Sequence, residues 1–281
     1  MLYREFQPAP SLSKHIECYW LLESADSRTP APPERLLPDG CIELILNFGA
    51  LFQEHKEAGR CELQPSRFVV GQMTQPVLVS STGPVLLIGV RFLPGGSYPF
   101  FQIPPDELTN RIATLADIAA NLDREFSERV IDVLQPTAKI AIIQSLLINR
   151  LNSSAEKGLS LQPVISRIVR SAGQTSIDSL SHDLGITGRQ LERRFLNVVG
   201  LGPKLLCRIF RFQQVFRAVE QSDSNWAGIA ADCGYYDQAH LIRDFRQFAG
   251  QTPAVLFEQF TPFTEFFTRK QRTSHFYNTL R

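Results

Sequence analysis

Between Ile177 and Phe257, apolar positions recur at helical spacing in two copies of one pattern. The first copy runs Leu180-Ser181-His182-Asp183-Leu184-Gly185, then Ile186 and Thr187, then Leu191, Arg193, Phe195, Gly200 and Pro203. The second runs Ile229-Ala230-Ala231-Asp232-Cys233-Gly234, then Tyr235, Tyr236 and Asp237, then Leu241, Arg243, Phe245, Gly250 and Pro253. One extra residue lies in the second turn. Beyond it the copies stay in register, Leu191 answering Leu241, Arg193 answering Arg243 and Gly200 answering Gly250.

Each copy predicts a helix-turn-helix. A short apolar helix ends at Gly185 or Gly234, since glycine adopts the left-handed cap without strain. Thr187 and Asp237 then offer a side-chain oxygen to the free amides of the next helix. That helix has two faces. Leu191, Phe195 and Val198 form the inner side of the first and Arg189, Glu192, Arg193 and Leu196 the outer side; Leu241, Phe245 and Phe248 oppose Ala239, Ile242, Arg243 and Arg246 in the second. An apolar stripe for the protein and a polar stripe for base edges are what a major-groove helix requires. A bundle with solvated arginines would show the same stripe once, but not an in-register duplication. Pro203 to Val219 predicts a long helix between the copies, with Leu205, Leu206, Ile209, Phe212, Val215, Phe216 and Val219 packing on both. Leu161 to Ser171 predicts an opening helix with Val164, Ile165, Ile168 and Val169 inside.

The pattern differs over residues 1 to about 105. Short apolar runs, Glu17 to Glu23, Cys41 to Phe48, Phe68 to Val70, Val77 to Ser80 and Val85 to Phe92, alternate with Gly and Pro and predict strands of a sandwich or small barrel. Ala25 to Pro38 reads as a loop, Pro38-Asp39-Gly40 as a turn, and the polar run Gln53 to Arg60 as a loop or hairpin tip. From Pro105 to Leu151 the pattern turns helical, with Leu115 to Ala120, Asp123 to Leu134 and Thr137 to Leu151 as its segments. The last two can pack on the β region and complete its core. Asn152 to Leu159 is small and polar, a linker, and burial is expected to be self-contained on either side of it.

Composition narrows the classes. Of 281 residues, 43% are hydrophobic, which excludes a disordered chain. The net charge of +1 says nothing of partners, but from Arg189 to Arg217 seven basic residues stand against Glu192 alone, a local +6 that suits a phosphate-facing surface. No apolar run reaches the ~20 residues that span a bilayer, and no signal-peptide core follows Arg4 and Glu5. The five cysteines, Cys18, Cys41, Cys61, Cys207 and Cys233, are far apart and lack C-x-x-C spacing, so reduced thiols in a cytoplasm are expected. Cys18 beside Tyr19 and Trp20 reads as a core thiol, with a redox or alkylation sensor as the alternative.

The region Ile177 to Phe257 resembles the DNA-binding domain of the AraC/XylS family of bacterial transcription regulators. The resemblance rests on Leu191, Arg193-Arg194-Phe195, Gly200 and Pro203, then Gly234-Tyr235, Gln238, His240-Leu241, Arg243-Asp244-Phe245 and Gly250-Gln251-Thr252-Pro253. Ser181 departs from the family's usual alanine, and Gly188 weakens the first turn of its helix. Leu37-Pro38-Asp39-Gly40 and Arg91-Phe92 followed by Pro94-Gly95-Gly96 resemble the N-terminal domain of a subgroup of these regulators. The resemblance implies a cupin-like β-barrel that binds an effector or mediates dimerisation, and helices after it that pair protomers.

The expected fold is therefore α+β: a β-barrel or sandwich with following helices over 1–151, a linker over 152–160, an all-α double helix-turn-helix domain over 161–260 and a Phe-rich basic tail over 261–281. The expected function is sequence-specific promoter binding under control of a small-molecule effector, with RNA polymerase as a partner if the protein activates, a homodimer as a candidate assembly, and no membrane. Arg189, Glu192 and Arg193 would read one half-site and Gln238, Ala239, Ile242 and Arg243 the next; Arg208, Arg211 and Arg246 are candidate phosphate contacts. Arg91, within an apolar strand, either points to solvent or enters the barrel to hold an acidic effector, with Trp20 beside it. No cofactor, metal or catalytic residue is expected. His15 and His55 are the only histidines before the linker, neither in an H-x-H pair, and no G-x-S-x-G or phosphate loop occurs. The rival is a cupin-like or alkyl-transfer enzyme fused to a DNA-binding domain.

Overall fold

The computed structural model describes residues 2–24, 32–101, 103–153, 161–221 and 225–259. Residues 154–160 of the expected linker and all of the tail 261–281 lie outside the described residues, as do 25–31 of the expected loop.

Among the described residues, ten strands form two antiparallel sheets. They are β1 (Leu2–Phe6), β2 (Ile16–Ser24), β3 (Glu34–Leu36), β4 (Ile42–Asn47), β5 (Phe52–His55), β6 (Cys61–Leu63), β7 (Arg67–Val70), β8 (Val77–Ser81), β9 (Val85–Phe92) and β10 (Ile112–Thr114). The larger sheet has the order β1-β2-β9-β4-β7-β10 and the smaller β3-β8-β5-β6. Alternation along β2 shows how the larger sheet is buried on both faces. Cys18, Trp20 and Leu22 pack with Phe52 and Val79 of the smaller sheet. Tyr19 and Leu21 pack the other way, against α2 (Leu115–Arg129) and α3 (Pro136–Ser153), through Leu122, Phe126, Ile143 and Leu147. These helices therefore complete the core. A four-residue helix, α1 (Tyr98–Phe101), adds Phe100 and Phe101 to the same layer.

Five strands were not foreseen: β1 and β10 are short edge pieces, β3 lies within the expected loop, and β5 and β6 flank the polar run read as a loop or hairpin tip. The polar run near His55 is a hairpin, β5 pairing with β6. The helix expected over Asp123–Leu134 starts instead at Leu115, where Thr114 caps the amide of Asp117, and stops at Arg129, leaving Leu134 exposed.

Among the described residues, seven further helices follow the β region: α4 (Gln162–Arg170), α5 (Ile177–Asp183), α6 (Gly188–Val199), α7 (Pro203–Gln221), α8 (Trp226–Asp232), α9 (Gln238–Ala249) and α10 (Pro253–Glu258). One apolar cluster joins them. Phe212 and Phe216 of α7 meet Phe245 and Phe248 of α9, while Leu191 and Phe195 of α6 and the four apolar residues of α4 lie in the same cluster. Burial is not self-contained, because Leu37 of the β region is part of this cluster.

Candidate nucleic-acid interface and a sheet-enclosed cavity

Each repeat is built by the same local devices. Ser176 caps α5 by accepting from the amide of Ser179, and Asn225 caps α8 by accepting from that of Gly228. Gly185 and Gly234 turn the chain with φ of 61° and 74°. Thr187 accepts from the Gln190 amide while Gln190 Oε1 accepts from the Thr187 amide, a reciprocal capping box. Asp237 Oδ1 accepts from the His240 amide at 2.6 Å. Both α6 and α9 have 12 residues and close on a left-handed glycine, Gly200 or Gly250.

The inner faces are pinned as the pattern predicts. Leu191, Phe195, Leu241, Phe245 and Phe248 are buried, Val198 is half-buried against the same cluster, and Val199 joins them in the core. The outer faces carry exposed Arg189, Glu192 and Arg193 on α6, and exposed Gln238, Ala239 and Arg243 with half-buried Ile242 on α9. Arg246 is exposed on the same helix. Two of the expected phosphate contacts are engaged inside the bundle. Arg208 Nη2 lies 2.6 Å from Oδ1 of buried Asp244 and 2.6 Å from Gln247 Oε1, over the Phe248 ring. Arg211 lies over the Tyr235 ring and donates to the Gly234 carbonyl. Both hold α7 to the second repeat, a demand that the linear charge count did not reveal.

A profile described as a helix-turn-helix domain matches residues 180–270. The matched residues are those that carry the AraC/XylS resemblance in the sequence, and they form a helix-turn-helix domain. Residues 4–114 of the chain match a family described only as a domain of unknown function, DUF6597. No curated protein matches the chain. Among solved structures it is similar to ToxT from Vibrio cholerae, with 12% identity, 86% of this chain and 98% of that one covered, and a TM-score of 0.44. It is similar to ToxT of V. cholerae strain SCE256 bound to an unsaturated fatty acid, with 11% identity, 83% and 97% covered and a TM-score of 0.41. A third is the AraC-like transcriptional activator CuxR, with 12% identity, 79% and 86% covered and a TM-score of 0.27. The regulator binds DNA and regulates transcription.

The β region touches both repeats near the same helix end, one residue apart in register. Thr109 Oγ1 donates to the Gly200 carbonyl at 2.8 Å, and Arg35 Nη1 donates to the Ala249 carbonyl at 2.8 Å. Each bond lands at the C-terminal end of α6 or α9, where carbonyls lack helical partners. The Leu37-Pro38-Asp39-Gly40 turn reaches α7 between them. Leu37 enters the helical cluster, Gln213 Nε2 donates to the Pro38 carbonyl, and Gly40 faces Leu206 and Phe210. Gly40 has φ of 81°, and a Cβ there would stand 3.2 Å from Leu206 and 3.3 Å from Phe210. Gly95 faces Ile165 and Val198 across the same boundary.

The same turn also closes a cavity of about 80 Å³ between the two sheets. Trp20, Ile45, Phe52, Phe68, Val79 and Leu87 supply its apolar wall. Arg91, Glu43 and Asp39 supply its polar end. Arg91 is 3% exposed, so it faces inward and lies beside Trp20, as one of the two readings had it. It is not free to take an acidic ligand, however. Its Nε donates to Glu43 Oε1 at 2.7 Å and its Nη2 lies 3.2 Å from Asp39 Oδ2. Trp20 Nε1 also donates to Glu43 Oε1, at 3.2 Å, and Asp39 Oδ1 accepts from the Cys41 amide. Burial disfavours the Arg91 charge, but Glu43 and Asp39 outweigh it and hold the guanidinium protonated. The carboxylate partners come from β4 and a turn, 48 and 52 positions before Arg91, which linear reading does not connect. Among the described residues no group of three or more His, Cys, Asp or Glu side chains is placed to hold a metal ion, and no helix is long and apolar enough to cross a membrane.

Proposed function

We propose that the regulator reads DNA with α6 and α9 in successive major grooves, and that a small molecule in the cavity sets how the β region holds those two helices. The observation that supports this reading is the matched grip on Gly200 and Ala249, joined through the turn 37–40 to the polar end of the cavity. A change at Asp39 is then transmitted to α7, which fixes the separation of the repeats.

Arg189, Glu192 and Arg193 read one half-site, and Gln238, Ala239, Ile242 and Arg243 the other. Arginine suits guanine, glutamine suits adenine, and glutamate accepts from cytosine. Arg246 takes a phosphate. Residues 1–151 act as the sensing unit and 161–260 as the reading unit. The setting is the cytoplasm, with promoter DNA as the partner, RNA polymerase if the protein activates, and a homodimer as the assembly. Action is by binding, without catalysis. Selection of the full chain on randomised duplexes tests the reading. Two short motifs about one helical turn, ~10 bp, apart support it; a single motif, or none, contradicts it.

A further inference from the structure

The polar end of the cavity holds more acid than base. One guanidinium serves two carboxylates, and it serves them unequally: Glu43 receives a 2.7 Å hydrogen bond, while Asp39 stands 3.2 Å from Nη2. Asp39 is 9% exposed, and its carboxyl also meets the backbone amides of Cys41 and of Asp39 itself. Burial pushes its carboxyl above the ordinary value in spite of Arg91 beside it. A buried carboxylate with half a counter-ion is a cost that an added cation relieves and an added anion increases.

We infer that the cavity takes a compact apolar amine, its ammonium group set between Asp39 and Glu43 and its hydrocarbon body against Trp20, Phe52 and Phe68. The inference rests on the proposed ligand control of this cavity and names the ligand class. Size follows from the volume. About 80 Å³ corresponds to roughly five to eight water positions, so the body is a short branched chain or a small ring. Charge follows from the balance of groups, since Arg91 already has its partners and a ligand carboxylate would make a third acid around one base. The ammonium adds a second positive charge and further donors for the two carboxylates that share Arg91. Asp39 lies between Pro38, bonded to Gln213, and Gly40, packed on Phe210, so the bound charge acts on the turn that holds α7.

The test uses the full-length chain and three probes of matched size: isobutylamine, isobutanol and isobutyrate. The chain has two tryptophans, so an amide-type proton–nitrogen spectrum contains two indole signals. The Trp20 indole donates into the cavity's polar end, and Trp226 of α8 serves as an internal control. Isobutylamine is expected to move the Trp20 signal saturably, leave Trp226 in place, and bind at least about tenfold more tightly than isobutyrate. Asp39→Asn should remove that preference; the wild-type series decides the matter if this variant does not fold. Isobutyrate or isobutanol moving Trp20 at equal or lower concentration overturns the amine assignment while leaving a ligand cavity in place. No response of Trp20 to any of the three overturns both this inference and the ligand control it rests on.

Discussion

Gln213 of α7 donates its side-chain amide to the carbonyl of Pro38, 175 positions earlier in the chain, and both groups are sealed from water. Through this bond and the insertion of Leu37, the β region and the double helix-turn-helix share one buried boundary. Leu37→Ala should cost about 2–5 kcal/mol, the range for a fully buried leucine. Urea unfolding followed by circular dichroism measures it. A loss below about 1 kcal/mol would mean that Leu37 is not part of the helical core.

Arg208 should prove a tie within the fold. Removing it leaves Asp244, 1% exposed, without its cation, and Arg208→Ala is expected to cost about 3 kcal/mol. Arg246→Ala, on the exposed face, should leave stability unchanged, weaken binding to all DNA sequences, and reduce the salt slope by about one. Thermal melts and salt titrations of DNA binding separate the two. Equal stability of both variants would contradict the assignment.

The doubled helix-turn-helix was legible because its signals are local. Glycine at positive φ, caps at Thr187 and Asp237, and an apolar stripe of period near 3.6 all lie within a few residues. Val198 packs at the edge of the helical core and faces Gly95, while the fully buried Val199 was not singled out. The turn Leu37-Pro38-Asp39-Gly40 read only as a turn, and none of its contacts lies near it in sequence except the Cys41 amide. Arg91 could be placed on a strand but not on a face, because an apolar strand buried on both sides lacks the alternation that marks inside from outside.

Arg35 and Thr109 should set the separation of the recognition helices. Arg35→Met keeps much of the side chain and removes the donor to Ala249; Thr109→Val removes the donor to Gly200. Either variant is expected to tolerate half-site spacings one base pair longer or shorter than the wild type does. Gel-shift titrations on a spacer series read this out. A spacing preference as sharp as that of the wild type in both variants would show that the grip is idle.

The thiols should react in a fixed order. Cys61 is exposed, whereas Cys18, Cys207 and Cys233 are buried, and burial raises all three, Cys207 to about 11 and Cys233 to about 12. The thiolate is the reactive form, so at pH 8 these groups are protonated and rise in reactivity only as pH climbs toward those values. Native protein without reductant should show one fast thiol with an aromatic disulfide reagent, and five after denaturation. Two or four thiols protected after denaturation would contradict the unpaired assignment.

The most direct measurement is sequence selection from randomised duplexes by wild type, Arg193→Ala and Arg243→Ala. Each variant is expected to lose about 1–3 kcal/mol and to relax base preference within one half-site, Arg193→Ala in one and Arg243→Ala in the other, about one helical turn away. Relaxation of the same base pair by both variants, or an unchanged preference in both, would contradict the reading of two grooves by α6 and α9.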